Sequence, residues 1–416
     1  MFTTLETHAN NADRMLESLA RELAAAGRWH DLFQTRLVQQ RARLGLPAES
    51  SVALEEVEEP LRSQLEGAYT AACREVGELL LESGQFREAW YYLRPAGEKA
   101  RLHRALAKVV PADDQVEGLI ELALYEGVDV ERGYGWLLGR YGTCNAITTL
   151  EGLGAQLPPS DLRACAAALV RHLHQELLQN VARHIERVES ERKEQHEGGT
   201  RSEEREVRGE KVESPVGTAP SPENDGGGGI VRGSLVELFS GREWLFEHEA
   251  AHVDASHLSA AVRFARVLDD QQVVRLAWEL AEYGKRLHST LQYPGEAPFT
   301  DHYPSHALLF AATLGDRVDE AVEFFTAQAA ASNPEQDGTA AVETLLVLLA
   351  RTGRWGEALT AYRERVPAGV QLSPFAPRLL ELAQRSGEWD LYAQIMRERN
   401  DPVGFAIGQL AAQSDR

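Results

Sequence analysis

The pentapeptide HEAAH at 248–252 sets two imidazoles four residues apart around a glutamate. On a helix, His248 and His252 share one face one turn apart and can hold a single zinc ion, while Glu249 activates the bound water. A third ligand is then required. His257 is the nearest candidate, followed by Glu279 and Glu282 in WELAEYG. The segment VDASHLSAAVRFARVL reads as a new helix capped by Asp254 or Ser256, which turns His257 away from the preceding face. A polar helix start such as DASHLS also suits ligand contacts, so Asp254 and His257 are candidate binding residues.

HEAAH resembles the zinc motif of the zincins, and Glu279 or Glu282 resembles the glutamate that some zincins carry on the next helix. The resemblance implies a zinc-dependent hydrolase. The flanks depart from it: Glu247 precedes the first histidine, and Asp254 stands where an apolar residue usually follows.

His302 and His306 form a second i,i+4 pair, again candidate binding residues, with Pro304 between them arguing against one continuous helix through both. They end YPGEAPFTDHYP, Tyr293 to Pro304, whose three prolines and three aromatics describe a stiff loop. Such a loop on a rigid scaffold either binds or plugs the end of a core. His172, His174 and His288 read as capping or partly buried residues. Cys144 has no histidine or lysine beside it in sequence to activate its thiol.

The elements that must position these residues are helices. Apolar residues recur at three- and four-residue spacing, Ala and Leu dominate, and no alternating strand pattern is present. Gly27, Gly84, Gly315, Gly353 and Gly387 each follow an apolar helix face and precede another helix, and the last two are 34 residues apart. Four and eight residues before each glycine stand apolar side chains, such as Val76 and Leu80 before Gly84 or Leu345 and Leu349 before Gly353. Glycine supplies the positive φ that ends a helix, and Trp29, Phe86, Trp355 or Trp389 opens the next.

This pattern resembles the tetratricopeptide repeat (TPR), with a period of 34 residues and stacked helix pairs. In REVGELLLESGQFREAWYYL, Val76, Gly77 and Leu80 take the Leu-Gly-x-x-Tyr positions, and Gly84, Phe86 and Ala89 the Gly-x-Tyr-x-x-Ala turn. The Gly353 copy matches at Leu345, Leu349, Trp355, Ala358 and Tyr362. Leu32 and Tyr392 stand where alanine belongs. The resemblance implies an all-α fold, an α-solenoid of TPR-like helix pairs.

Residues 188–229 are charged, then rich in Pro and Ser, then end in four glycines, a composition expected of a disordered linker. Helical-repeat lobes are accordingly expected at 1–187 and 230–416.

Composition bounds the partners. With 43 Lys+Arg against 64 Asp+Glu the net charge is −21, which repels nucleic acid and anionic lipid and favours a basic or amphipathic partner. Three scattered cysteines suit a reducing cytoplasmic setting. No signal-peptide pattern and no apolar run long enough for a membrane is visible, and nucleotide-binding fingerprints are absent. The leading expectation is a non-catalytic protein-protein interaction scaffold holding a peptide or partner domain in a groove. It needs no cofactor; the alternative, a hydrolase using His248, Glu249 and His252, needs zinc.

Overall fold

The computed structural model describes residues 2–48, 57–206, 234–247 and 251–414. The fold is all-α. Among the described residues the only β feature is an isolated bridge between Glu296 and Phe299.

Two compact units divide between Arg140 and Tyr141. The first carries α1 (Phe2–Thr7), α2 (Ala12–Ala25), α3 (Trp29–Arg43), α4 (Leu61–Glu82), α5 (Phe86–Leu93), α6 (Lys99–Leu106) and α7 (Val116–Ile120). A π-helical turn follows at Glu121–Tyr125, and α8 (Val130–Leu153) is broken at Gly142 by a φ of 77°. The second unit carries α9 (Pro159–Glu206), α10 (Leu235–Phe239), α11 (Ala255–Phe264), α12 (Gln271–Gly284) and α13 (His302–Thr313). It continues through α14 (Val318–Ala331), α15 (Ala340–Arg351), α16 (Trp355–Arg365), α17 (Leu379–Ser386), α18 (Trp389–Glu398) and α19 (Pro402–Ser414).

Helices pack mainly on their neighbours in sequence: α2 on α3, α3 on α4 and α4 on α5 in the first unit, and each of α12 to α19 on the next in the second. This succession makes an α-solenoid, in which adjacent hairpins supply one another's interior. The first core gathers Leu23, Leu32, Val76, Leu80, Leu93 and Leu102, all at most 2% exposed.

One hydrogen-bond pattern closes four of the expected hairpin turns. The residue after the glycine donates its N–H five residues back: Arg28 to Leu23, Gln85 to Leu80, Asp316 to Ala311 and Arg354 to Leu349. Gly27, Gly84, Gly315 and Gly353 hold φ between 67° and 90°, where a Cβ is strained. The acceptors are the carbonyls of the apolar residues four before each glycine, so one residue fills the core with its side chain and ends its helix with its backbone.

The division differs from lobes at 1–187 and 230–416. Leu169, Val170, Leu173, Leu177 and Val181 of α9 are buried at 0% exposure, and α9 packs on α10, α11 and α12. Residues 159–187 therefore build the second unit. The segment expected as a disordered linker is also helical at its start, since α9 runs on to Glu206. Its Glu, Arg and Lys residues form helices readily without a core to bury. The remaining linker residues, 207–229, lie outside the described residues.

Candidate functional site

Two stripes of side chains face one cleft in the second unit. Cys144, Ile147, Thr148 and Glu151 follow helical spacing along α8; Ser256, Ser259, Ala260 and Arg263 do so along α11. His302 and His306 of α13, Arg266 and the loop around Phe299 complete a cavity of about 590 Å³. Asp254 fixes the start of α11 by accepting from the N–H groups of Ser256 (2.8 Å) and His257 (3.3 Å). His257 then lies in the first turn and lines the cleft.

His302 and His306 sit on one helix, against the expectation from Pro304. Pro304 falls in the first turn of α13, where a backbone N–H has no partner inside the helix to lose. His306 Nδ1 lies 2.6 Å from the His302 carbonyl, which can only accept, so Nδ1 carries the proton and Nε2 a lone pair. That Nε2 is buried and has no hydrogen-bond partner. The ring stacks on Phe299 at 4.0 Å between centroids, and burial holds His306 well below its usual titration range. His302 Nε2 meets Ser259 Oγ at 3.1 Å; burial lowers its titration too, and nearby Arg266 and Arg263 act in the same direction.

The two arginines differ. Arg263 is paired with Glu151. Arg266 donates its Nε to the Arg263 carbonyl at 2.9 Å and lies 5.1 Å from the Phe299 ring centroid. No carboxylate among the described residues comes within ion-pairing distance of it. Burial, helped by Arg263, brings its pKa down to about 10.

The zinc candidates occupy separate settings. His248 and Glu249 lie outside the described residues. His252 is in a bend, not a helix, between the 3-10 turn Glu243–Phe246 and α11. Its backbone N–H donates to Tyr283 Oη (3.1 Å), and its Nδ1 lies 2.7 Å from the same oxygen; Nε2 faces His184 Nδ1 at 2.8 Å. Glu279 is engaged by His174 Nε2 (2.8 Å), Ser234 Oγ (2.7 Å) and the Leu235 N–H (2.9 Å), while Glu282 pairs with Lys285 at 2.9 Å. Among the described residues, no three His, Cys, Asp or Glu side chains converge as a metal site.

A second concavity of about 560 Å³ crosses α14, α15 and α16. Leu345 and Leu349 contribute to its floor beside Trp355, and Glu357, Glu364 and Glu388 stand on it with Arg354 and Arg365.

Sequence spacing indicated His257, His302 and His306 but not Arg263, Arg266, Glu151 or Phe299. The stripe Ser256, Ser259, Arg263 was available as a signal, being polar at helical spacing on one face. Arg266 had none, because its isolation from carboxylates depends on tertiary packing.

No family model matches the chain, and no curated protein matches it. A solved structure described as a circular tandem repeat protein with novel repeat topology and enhanced subunit contact surfaces matches at 14% identity, covering 97% of this chain and 88% of that one. The TM-score is 0.15, too low for the two folds to be equated. The hairpin succession itself defines this chain as a helical-repeat protein. No described helix is long and apolar enough to cross a membrane.

Proposed function

We propose that the chain is a non-catalytic interaction scaffold of TPR-like type, holding a basic or amphipathic peptide of a partner protein in the groove across α14, α15 and α16. The observation carrying this reading is the groove's make-up: half-buried Val322 and Trp355 offer apolar contact above the buried Leu345 and Leu349, and Glu357, Glu364 and Glu388 outnumber Arg354 and Arg365. Apolar contact gives a helical or extended peptide its binding energy, while the acidic excess selects for lysine or arginine on it. The net charge of −21 acts in the same sense at longer range.

The test is affinity capture from the protein's own cell extract, comparing the intact chain with Thr360→Trp. Thr360 is an exposed groove residue, so a large ring there fills the groove without entering the core. A polypeptide retained by the wild type and lost by the variant at unchanged helicity supports the reading. Identical capture by both overturns it.

A further inference from the structure

We propose that the cleft formed by α8, α11, α13 and the loop at Phe299 binds a small oxyanion-bearing molecule, with Arg266 as the recognising cation. The site is separate from the peptide groove, and neither proposal requires the other.

The first support is a cation without a counter-ion. Every other arginine lining this cleft is paired, since Arg263 is held by Glu151. Arg266 is half-buried against Phe299 and uses only Nε, leaving its two terminal nitrogens without a carboxylate. A guanidinium fork in that state matches two oxygens of a phosphate or carboxylate and is less costly to desolvate than an ammonium. Glu296 also lines the cleft and favours the charged form of Arg266, yet does not reach ion-pairing distance. In a chain of net charge −21, an unpaired cation inside a cavity is a local reversal of sign.

The second support lies in the floor and is independent of charge. His306, 1% exposed, has a lone pair on Nε2 and no donor to meet it. Buried acceptors without partners are uncommon because each forfeits its hydration. Phe299 covers the face of the ring and not its edge, and His306 lines the cleft, so a ligand hydroxyl that reaches that edge meets the nitrogen. Ser256, Ser259, Thr148 and His257 provide further hydrogen-bonding groups along the walls. An oxyanion that also carries a hydroxyl thus satisfies both unpartnered groups, and a hydroxylated phosphate ester should bind more tightly than inorganic phosphate.

Cys144 gives a readout in the native chain. It is exposed and lines the cleft, whereas Cys73 and Cys165 are buried. The rate of Cys144 alkylation by a neutral reagent is followed by mass spectrometry on the full chain. Inorganic phosphate, glycerol 3-phosphate and citrate are titrated against chloride at matched ionic strength. Saturable slowing by an oxyanion, absent with chloride and abolished in Arg266→Gln, is expected; the arm that slows it at the lowest concentration identifies phosphate, ester or carboxylate. No slowing by any oxyanion, or slowing that persists in Arg266→Gln, overturns the proposal. If Arg266→Gln loses helicity, calorimetric titration of Thr148→Trp decides: this variant plugs the exposed rim with Arg266 intact. Loss of the oxyanion heat then supports the site, and undiminished heat overturns it.

Discussion

The phenol of Tyr283 holds His252 twice, accepting from its backbone N–H at 3.1 Å and hydrogen-bonding to its Nδ1 at 2.7 Å. Tyr283 is fully buried, and the chain of bonds runs on through His252 Nε2 to His184. Burial, with His184 close by, brings the His252 pKa down to about 4 from an ordinary 6.5. Between these values the unfolded chain binds the proton and the folded chain does not, so stability rises with pH. The contribution is complete above about 6.5 and disappears as pH falls towards 4. Urea midpoints measured from pH 7 to pH 4 should fall in the wild type and fall less in His252→Asn. Tyr283→Phe orphans the His252 N–H and should cost about 2 kcal/mol at pH 7.

Glu279 joins three donors from separate segments: the His174 ring on α9, and the Ser234 hydroxyl and Leu235 N–H that begin α10. Burial pushes its carboxyl up, but the bonds from His174, Ser234 and Leu235 together outweigh this and hold it below the usual 4.5. Its stabilising effect is therefore present above 4.5 and is lost as pH drops further. Glu279→Ala leaves buried donors unmet and should cost about 3 kcal/mol, with Glu279→Gln costing less. Amide exchange at Leu235 should accelerate in the alanine variant, which separates loss of this anchor from general loosening of the fold.

These two networks mark where sequence stops being informative. The hairpins were legible because their causes are local: Leu80 ends α4 by accepting from Gln85, and Gly84 supplies the positive φ, all within six residues. Asp254 as the cap of α11 is local in the same way. Glu279 meets His174 across 105 positions, and the acid was a zinc-ligand candidate because spacing cannot show a partner so distant. Pro304 reads as a break in the sequence because the rule against proline applies to helix interiors, whereas the start of α13 at His302 places it in the first turn. Residues 188–206 carry helix-forming side chains without an apolar face, and absence of a core stripe hid the helix.

Glycines in this chain should divide by sign. At Gly284 an added Cβ falls 2.3 Å from the Tyr303 ring, so α12 and α13 approach too closely for alanine. Gly284→Ala should destabilise by about 2 kcal/mol through overpacking. Gly135 is exposed within α8 and its added Cβ meets nothing within 4 Å. Gly135→Ala should stabilise by up to about 1 kcal/mol, because alanine loses less chain entropy on entering a helix. Chemical denaturation of the pair checks both signs at once.

Zinc binding at His252 requires a free lone pair, and both ring nitrogens are already engaged, Nδ1 with the Tyr283 hydroxyl and Nε2 with His184. A metal at either nitrogen must break one of these bonds and shed the burial that keeps the ring neutral. Glu279 and Glu282, the carboxylates proposed from spacing to complete such a site, are committed to His174 and to Lys285. Excess chelator should consequently leave the thermal midpoint unchanged, and His248→Ala should leave zinc content unchanged. A midpoint that falls with chelator and recovers with one equivalent of zinc would show that the Tyr283 bonds yield to metal, and would return the hydrolase reading to the front.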